Sequence, residues 1–147
     1  MYVGNCPLCK NTASAIKGHL LICSACDAKW WSWEAVKQIG SKKEWAIYFA
    51  QEAGVFSDDY TEPCYSMYVI AFEPHETKSF YVGQTVHTVE HRFLQHKRGY
   101  IPGKGVEKRG LALVEWEGPM TKEESLVRED ERANELRCKG FKVFGGH

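Results

Sequence analysis

Two cysteine pairs constrain this chain more than any other feature of it. Cys6-Pro7-Leu8-Cys9 and Cys23-Ser24-Ala25-Cys26 are C-x2-C motifs with a 13-residue spacer. Each motif places two thiolates on one tight turn, and two such turns complete the tetrahedron of a structural zinc ion. Pro7 presets φ for the first turn. His19 to Ile22 reads as a strand feeding the second turn. His19 reads as a strand-surface residue, because four sulfurs already close the site. Cys64 and Cys138 stand alone. The N-terminus has no basic-then-apolar signal pattern, so free thiols in a reducing interior, bacterial or viral (phage), are expected rather than a disulfide framework. A redox role fits poorly, since it needs one perturbed thiol and not two matched pairs.

Three pieces follow from this anchor. Residues 1–35 read as a zinc ribbon, 36–65 as a helical connector and linker, and 66–147 as a second domain. Trp30, Trp31 and Trp33 follow the second cysteine pair directly. They suit covering the small metal module or joining it to the next piece, with base stacking as the alternative. Ser32 to Ile39 and Lys43 to Ala53 look helical, split by Gly40-Ser41. Trp45, Tyr48, Phe49 and Ala53 form an apolar stripe on the second of these.

Composition excludes several classes. Hydrophobic residues make up 44% and charged residues 26%, which argues against disorder, collagen and coiled coil. No apolar run approaches the ~20 residues that cross a bilayer, so no membrane partner is expected. Nineteen basic and nineteen acidic side chains cancel. Their distribution is uneven. Between Arg92 and Arg109 lie six basic residues (Arg92, Lys97, Arg98, Lys104, Lys108 and Arg109) against one acid, Glu107. Such a stripe is either a phosphate-facing surface or a solvated loop.

In the last piece, Met67 to Phe72 and Phe80 to Gly83 read as an antiparallel hairpin around a polar loop, Glu73 to Ser79. A helix opens at Thr88 and runs to about Lys97. Leu111 to Trp116 is a third strand. Thr121 and Glu124 form a capping box for a helix that runs to about Lys139 and stops at Gly140.

At 100° per residue, with Leu126 at 0°, Ala133 falls at about −20° and Leu136 at about −80°. Glu129 falls between them at about −60°, aimed into the apolar side, while Glu124, Glu131 and Glu135 face water. A buried carboxylate calls for a cation, a donor or a metal. Asp130 is a weaker candidate. On the preceding helix, Arg92 and His96 lie one turn apart at the edge of the face marked by Val89 and Phe93. Each alone reads as a salt bridge or a satisfied core histidine.

These residues together resemble the GIY-YIG nuclease family. Ser66-Met67-Tyr68-Val69-Ile70 stands where that family has Gly-Ile-Tyr-x-Ile, and Tyr81-Val82-Gly83-Gln84-Thr85 where it has Tyr-Ile-Gly followed by Lys, Gln or Ser. Arg92, His96 and Glu129 fall at the family's helix arginine, at a position often His or Tyr, and at its metal-binding glutamate. Ser66 replaces the first motif glycine, and Val143-Phe144-Gly145-Gly146 stands where many members have an asparagine. The resemblance implies an α+β domain of β-β-α-β-α order, a small antiparallel sheet flanked by helices. It implies endonuclease hydrolysis of phosphodiester bonds in DNA, with Mg²⁺ or Mn²⁺ held by Glu129, otherwise by water and phosphate. Arg92 would offer its fork to a phosphate. Tyr81, ionising below the usual ~10 beside a cation, would take a proton from water. Tyr68 and His96 would position or assist that water, and the choice of base stays open. The ribbon, with Gln84, Lys97, Arg98, Lys104, Lys108 and Arg109, would grip nucleic acid. The alternative is a non-catalytic adaptor that binds nucleic acid or protein on the same fold.

Overall fold

The computed structural model describes residues 5–11, 15–37, 43–72, 78–99 and 105–145. The expected Gly40-Ser41 break, most of the 73–79 loop, Lys104 and Gly146 lie outside them. The fold is mixed α and β around one seven-stranded sheet. β4 (Tyr65–Ala71) and β5 (Ser79–Thr85) form the expected antiparallel hairpin, with Tyr68 opposite Gly83 and Ile70 opposite Tyr81. β6 (Ala112–Met120) pairs antiparallel with the other edge of β4. β4 is thus central and covered on both faces. This accounts for the unbroken run of buried residues from Met67 to Ala71 in place of polar alternation.

The two faces differ. Met67, Val69 and Val82 pack under α5 (Lys122–Cys138) through Ala133 and Leu136. Tyr68, Ile70 and Phe72 face the other layer with Phe93 and Leu94 of α3 (Val89–Lys97). Thr88 caps α3 by accepting from the His91 N–H, and the Thr121–Glu124 capping box of α5 is present in both directions. After α5, Gly140 turns at φ 89° and the Phe141 N–H bonds the Leu136 carbonyl. The chain drops at once into β7 (Lys142–Gly145), parallel to β5.

The sheet is larger than the small antiparallel one expected, for two reasons. β7 adds a parallel edge with no marker in the sequence pattern. The metal module then extends the other side: β1 (Ala15–Lys17), β2 (Leu20–Ile22) and β3 (Lys29–Trp31) run antiparallel, and β3 meets β6 at Lys29 and Leu113. The strand order is β1-β2-β3-β6-β4-β5-β7. Trp31 is buried and donates from Nε1 to the Glu90 carbonyl at 2.9 Å, and Lys29 pairs with the Glu90 carboxylate at 2.8 Å. Trp30 packs alongside, whereas Trp33 is 72% exposed. His19 sits in the turn between β1 and β2 and not on a strand. Its Nδ1 lies 2.9 Å from Ser32 Oγ and its ring meets Phe49 edge-on.

Three helical expectations are corrected. Within the described residues, the first helix is one turn, α1 (Trp33–Val36). In α2 (Lys43–Glu52) the buried side is Ala46, Phe49 and Ala50, with Ala53 beyond its end. Trp45 and Tyr48 are exposed, because small alanines let α2 approach closely and the larger rings are left at its rim. In α5, Leu126 is exposed and the inward row is Ser125, Glu129, Ala133 and Leu136. The buried face is centred on Glu129, rotated from the leucine. No described helix is long and apolar enough to cross a membrane.

The start of α3 carries a pH-dependent contribution to stability. His91 is 2% exposed, and among the described residues neither ring nitrogen has a hydrogen-bond partner. Its ring packs against Phe56 and His87. Burial, then His87, Arg92 and Lys43, hold its pKa down at about 4. The unfolded chain takes up the proton near 6.5, so stability is full above 6.5 and falls as pH drops towards 4. The loss should reach about 3 kcal/mol, at 1.36 kcal/mol per unit. Urea unfolding at pH 7 and pH 4.5 measures it. His91→Leu should flatten that difference, and an equal difference in the variant would remove His91 as its source.

Candidate functional site

Two sites are built by this fold. The first is the cysteine cluster, whose four sulfurs all lie within 4.8 Å of one another. Cys6 and Cys26 sulfurs are 3.6 Å apart and those of Cys9 and Cys23 are 3.5 Å apart. A zinc–thiolate tetrahedron with bonds of about 2.3 Å has sulfurs about 3.8 Å apart, so the donor set fits zinc. The two turns are built alike. The Lys10 N–H returns to the Cys6 carbonyl and the Asp27 N–H to the Cys23 carbonyl. Lys10 and Asp27 both take left-handed φ, 66° and 63°, just after the second cysteine of each pair. The Leu8 N–H donates to Cys6 Sγ and Asn11 Nδ2 to Cys9 Sγ. Such donors stabilise thiolate charge and orient the ligands. Among the described residues, this is the one group of three or more such side chains placed to hold a metal.

The second site gathers the tyrosines. Tyr68 and His96 are both 2% exposed, and Tyr68 Oη lies 2.8 Å from His96 Nε2. The Tyr81 ring stands 5.4 Å from the His96 ring and 6.2 Å from that of Tyr68. Period-two alternation puts both tyrosines on the α3 face, and the i, i+4 spacing puts Arg92 and His96 on one side of α3. Arg92 Nε donates to Thr85 Oγ1 at 3.0 Å, and Thr85 is buried. Glu129 comes from α5 on the other face, buried at 7% exposure. Both phenols sense its negative charge together with the positive charge of Arg92.

The expected ionisation of Tyr81 is not what this environment produces. Burial, followed by the charge of Glu129, raises its pKa above 10, and Arg92 offsets this only in part. Tyr68 is raised further, mainly by burial and then by Tyr81. Desolvation of the phenolate outweighs one guanidinium. Without further positive charge, both tyrosines are neutral hydrogen-bonding groups at pH 7.

Three further residues position these rings, and only Gly83, the glycine of the Tyr81-Val82-Gly83 motif, is marked in the sequence. Thr85 lies two residues after Gly83, hence on the face of Tyr81, and that period is the available signal. A side chain at Gly83 would meet Tyr68 Oη at 2.6 Å and Tyr81 Cε1 at 3.0 Å. A side chain at Gly145, with φ at 69°, would collide with the Val82 carbonyl and meet Tyr81 Cε2 at 2.9 Å. The Tyr81 ring therefore lies between two bare backbone positions. Gly83→Ala should displace Tyr68 from His96 and destabilise the protein by about 1–3 kcal/mol, the usual cost of overpacking. Chemical denaturation and the side-chain NMR signals of His96 report this, and an unperturbed His96 would show that the crowding is absorbed elsewhere.

The basic stripe is divided by the fold. Arg98 is buried, and its Nη1 donates to the Ala35 carbonyl at 2.7 Å. Lys97 Nζ donates to the Glu107 and Gly110 carbonyls at 2.9 and 2.8 Å, closing the C-terminus of α4 (Val106–Arg109). Both cations join the ribbon side and α4 to α3. Lys108 and Arg109 are exposed. Gln84 faces α5, where the Ser125 hydroxyl donates to its Oε1 at 3.4 Å.

No protein-family model matches this chain, and neither the curated proteins nor the solved structures searched hold a match to it. The GIY-YIG resemblance therefore gains no support from known relatives. The fold itself is a mixed α and β structure with a seven-stranded sheet and a four-cysteine cluster consistent with a zinc ribbon.

Proposed function

We propose that this chain is a zinc-ribbon endonuclease that hydrolyses phosphodiester bonds in DNA with the help of one divalent metal. The observation that carries this reading is the convergence of Tyr68, Tyr81 and His96 within 5.4–6.2 Å between ring centres, with Arg92 and Glu129 acting electrostatically on both phenols. Phosphoryl transfer needs positioned donors, a cation for the equatorial oxygens and a carboxylate for the metal. Mg²⁺ keeps most of its waters and takes one or two protein carboxylates, so a single Glu129 suits it. Once bound, such a metal would neutralise developing phosphate charge and acidify a water. Arg92, held by Thr85, would present its fork to the phosphate. Neutral Tyr68 and Tyr81 would orient the attacking water by hydrogen bonds, with His96 as the group able to accept its proton. The test is cleavage of labelled single- and double-stranded DNA and RNA with Mg²⁺ or Mn²⁺. No cleavage of any of them would sink the reading.

A second reading, a non-catalytic adaptor, draws on the near-complete burial of Tyr68 and His96, which suits a structural hydrogen bond. It is favoured if nucleic acid or protein binds with no turnover and Glu129→Gln leaves that binding unchanged.

A further inference from the structure

The described cations divide into those already committed and those left with free charge. Lys29 pairs with Glu90, Arg128 with Glu117 and Glu135, and Arg132 with Glu115 and Glu135. Lys97 and Arg98 are engaged by backbone carbonyls. Arg109 and Lys142 are exposed and make no ion pair among the described residues. Neither is loose. The Arg109 guanidinium lies 5.1 Å from the Phe72 ring centre and 5.8 Å from that of Phe144. Lys142 Nζ lies 5.4 Å from the Phe144 ring, and the two phenylalanine rings are 5.6 Å apart. Lys142 and Phe144 alternate onto one face of β7. Phe144 is the register partner of Tyr81. A cation seated on a ring face keeps its charge and gives up rotamer freedom in advance, so an anion binds it at lower entropic cost.

We propose that Arg109 and Lys142, seated on Phe72 and Phe144, form a clamp for a backbone phosphate of the nucleic-acid substrate, next to the phosphate engaged at Tyr81 and Arg92. The inference rests on the nuclease reading and deepens it by giving the strand a path, from Tyr81 along β7 towards Lys142. Two rings brace two cations beside a site that holds a third, Arg92, and a polyanion satisfies all three.

The test is anisotropy of labelled single-stranded and duplex oligonucleotides with the full chain, Ca²⁺ replacing Mg²⁺ to suppress cleavage, across a salt series. The double variant Arg109→Gln, Lys142→Gln should bind on the order of tenfold more weakly. Its slope of log affinity against log salt should fall by about 0.7 for a single strand or about 0.9 for a duplex, the value for the one phosphate no longer neutralised. Arg128→Gln, which removes an ion-paired cation, should change neither. Unchanged affinity and slope in the double variant, with wild type cleaving normally, overturns the clamp and leaves the nuclease reading standing. A double variant that loses affinity and slope as expected, from a wild type that never cleaves, upholds the clamp and removes the nuclease reading. A wild type that binds neither oligonucleotide overturns both.

Discussion

Chelation of zinc at neutral pH, or Cys23→Ser, is expected to unfold β1 to β3 and to lower the stability of the whole protein. Cys6 and Cys23 are fully buried, and the apolar cluster around them is small: Leu8 and Ala28, with Ala71 and Ala112 from the central sheet, while Leu20 and Trp31 pack into the core shared with α2 and α3. Such a core cannot offset the ordering entropy of some thirty residues without the metal. Structural zinc is worth about 10–16 kcal/mol of apparent binding free energy in small finger peptides, where it is also folding free energy. A domain's entire stability is about 5–15 kcal/mol. Even a fraction of the zinc contribution is therefore decisive. The damage should travel, because Trp31 and Lys29 are held to Glu90 at the head of α3. Hydrogen exchange over 15–31, with Tm and metal content, measures this. A folded protein holding no metal, or exchange and Tm indifferent to chelation, would refute the zinc assignment.

Glu129→Gln should cut Mg²⁺-dependent cleavage by at least about a hundredfold, the size of losses seen when one transition-state-stabilising group is removed. The substitution keeps the volume and hydrogen-bonding reach of a residue in a packed row with Ser125, Ala133 and Leu136. Stability should therefore change by no more than about 1 kcal/mol, in line with a near-isosteric exchange. Arg92→Lys should also be severely impaired, since it keeps the charge but loses the planar fork and its Nε bond to Thr85. Glu131→Gln, on the same helix but facing water, is the control and should cleave as wild type does. The readout is single-turnover cleavage across a metal titration, with circular dichroism on each variant. If Glu129→Gln cleaves at the wild-type rate, the metal does not depend on this carboxylate and the proposed chemistry fails.

Several elements are legible in the sequence because local chemistry encodes them. The cysteine spacing specifies two turns, and the fold brings all four sulfurs together. Thr88 and the Thr121–Glu124 box mark helix starts through bonds that span three residues. The hairpin between β4 and β5 follows from two apolar runs around a polar loop. Angle alone marks Glu129 as inward-facing, although Leu126, the reference point of that wheel, is exposed. α5 packs on a sheet already filled by Met67, Val69 and Val82, and such a surface takes serine and alanine at close approach. Hydrophobicity along a helix carries no information about the depth of the surface beneath it.

Contacts a few residues apart suffice to encode the metal turns, the helix caps, the strand periods and the inward carboxylate. The tertiary fold alone sets everything that needs a distant partner. It brought β3 to β6, laid β7 parallel to β5, buried Arg98 against Ala35, and left Arg109 and Lys142 with their charge in water. A charge run has no orientation until a fold supplies carbonyls, carboxylates or rings for it to meet. The phenol of Tyr81 shows the same dependence. Its acidity is set by how much water the surrounding layers exclude, and that quantity exists only once the chain is packed.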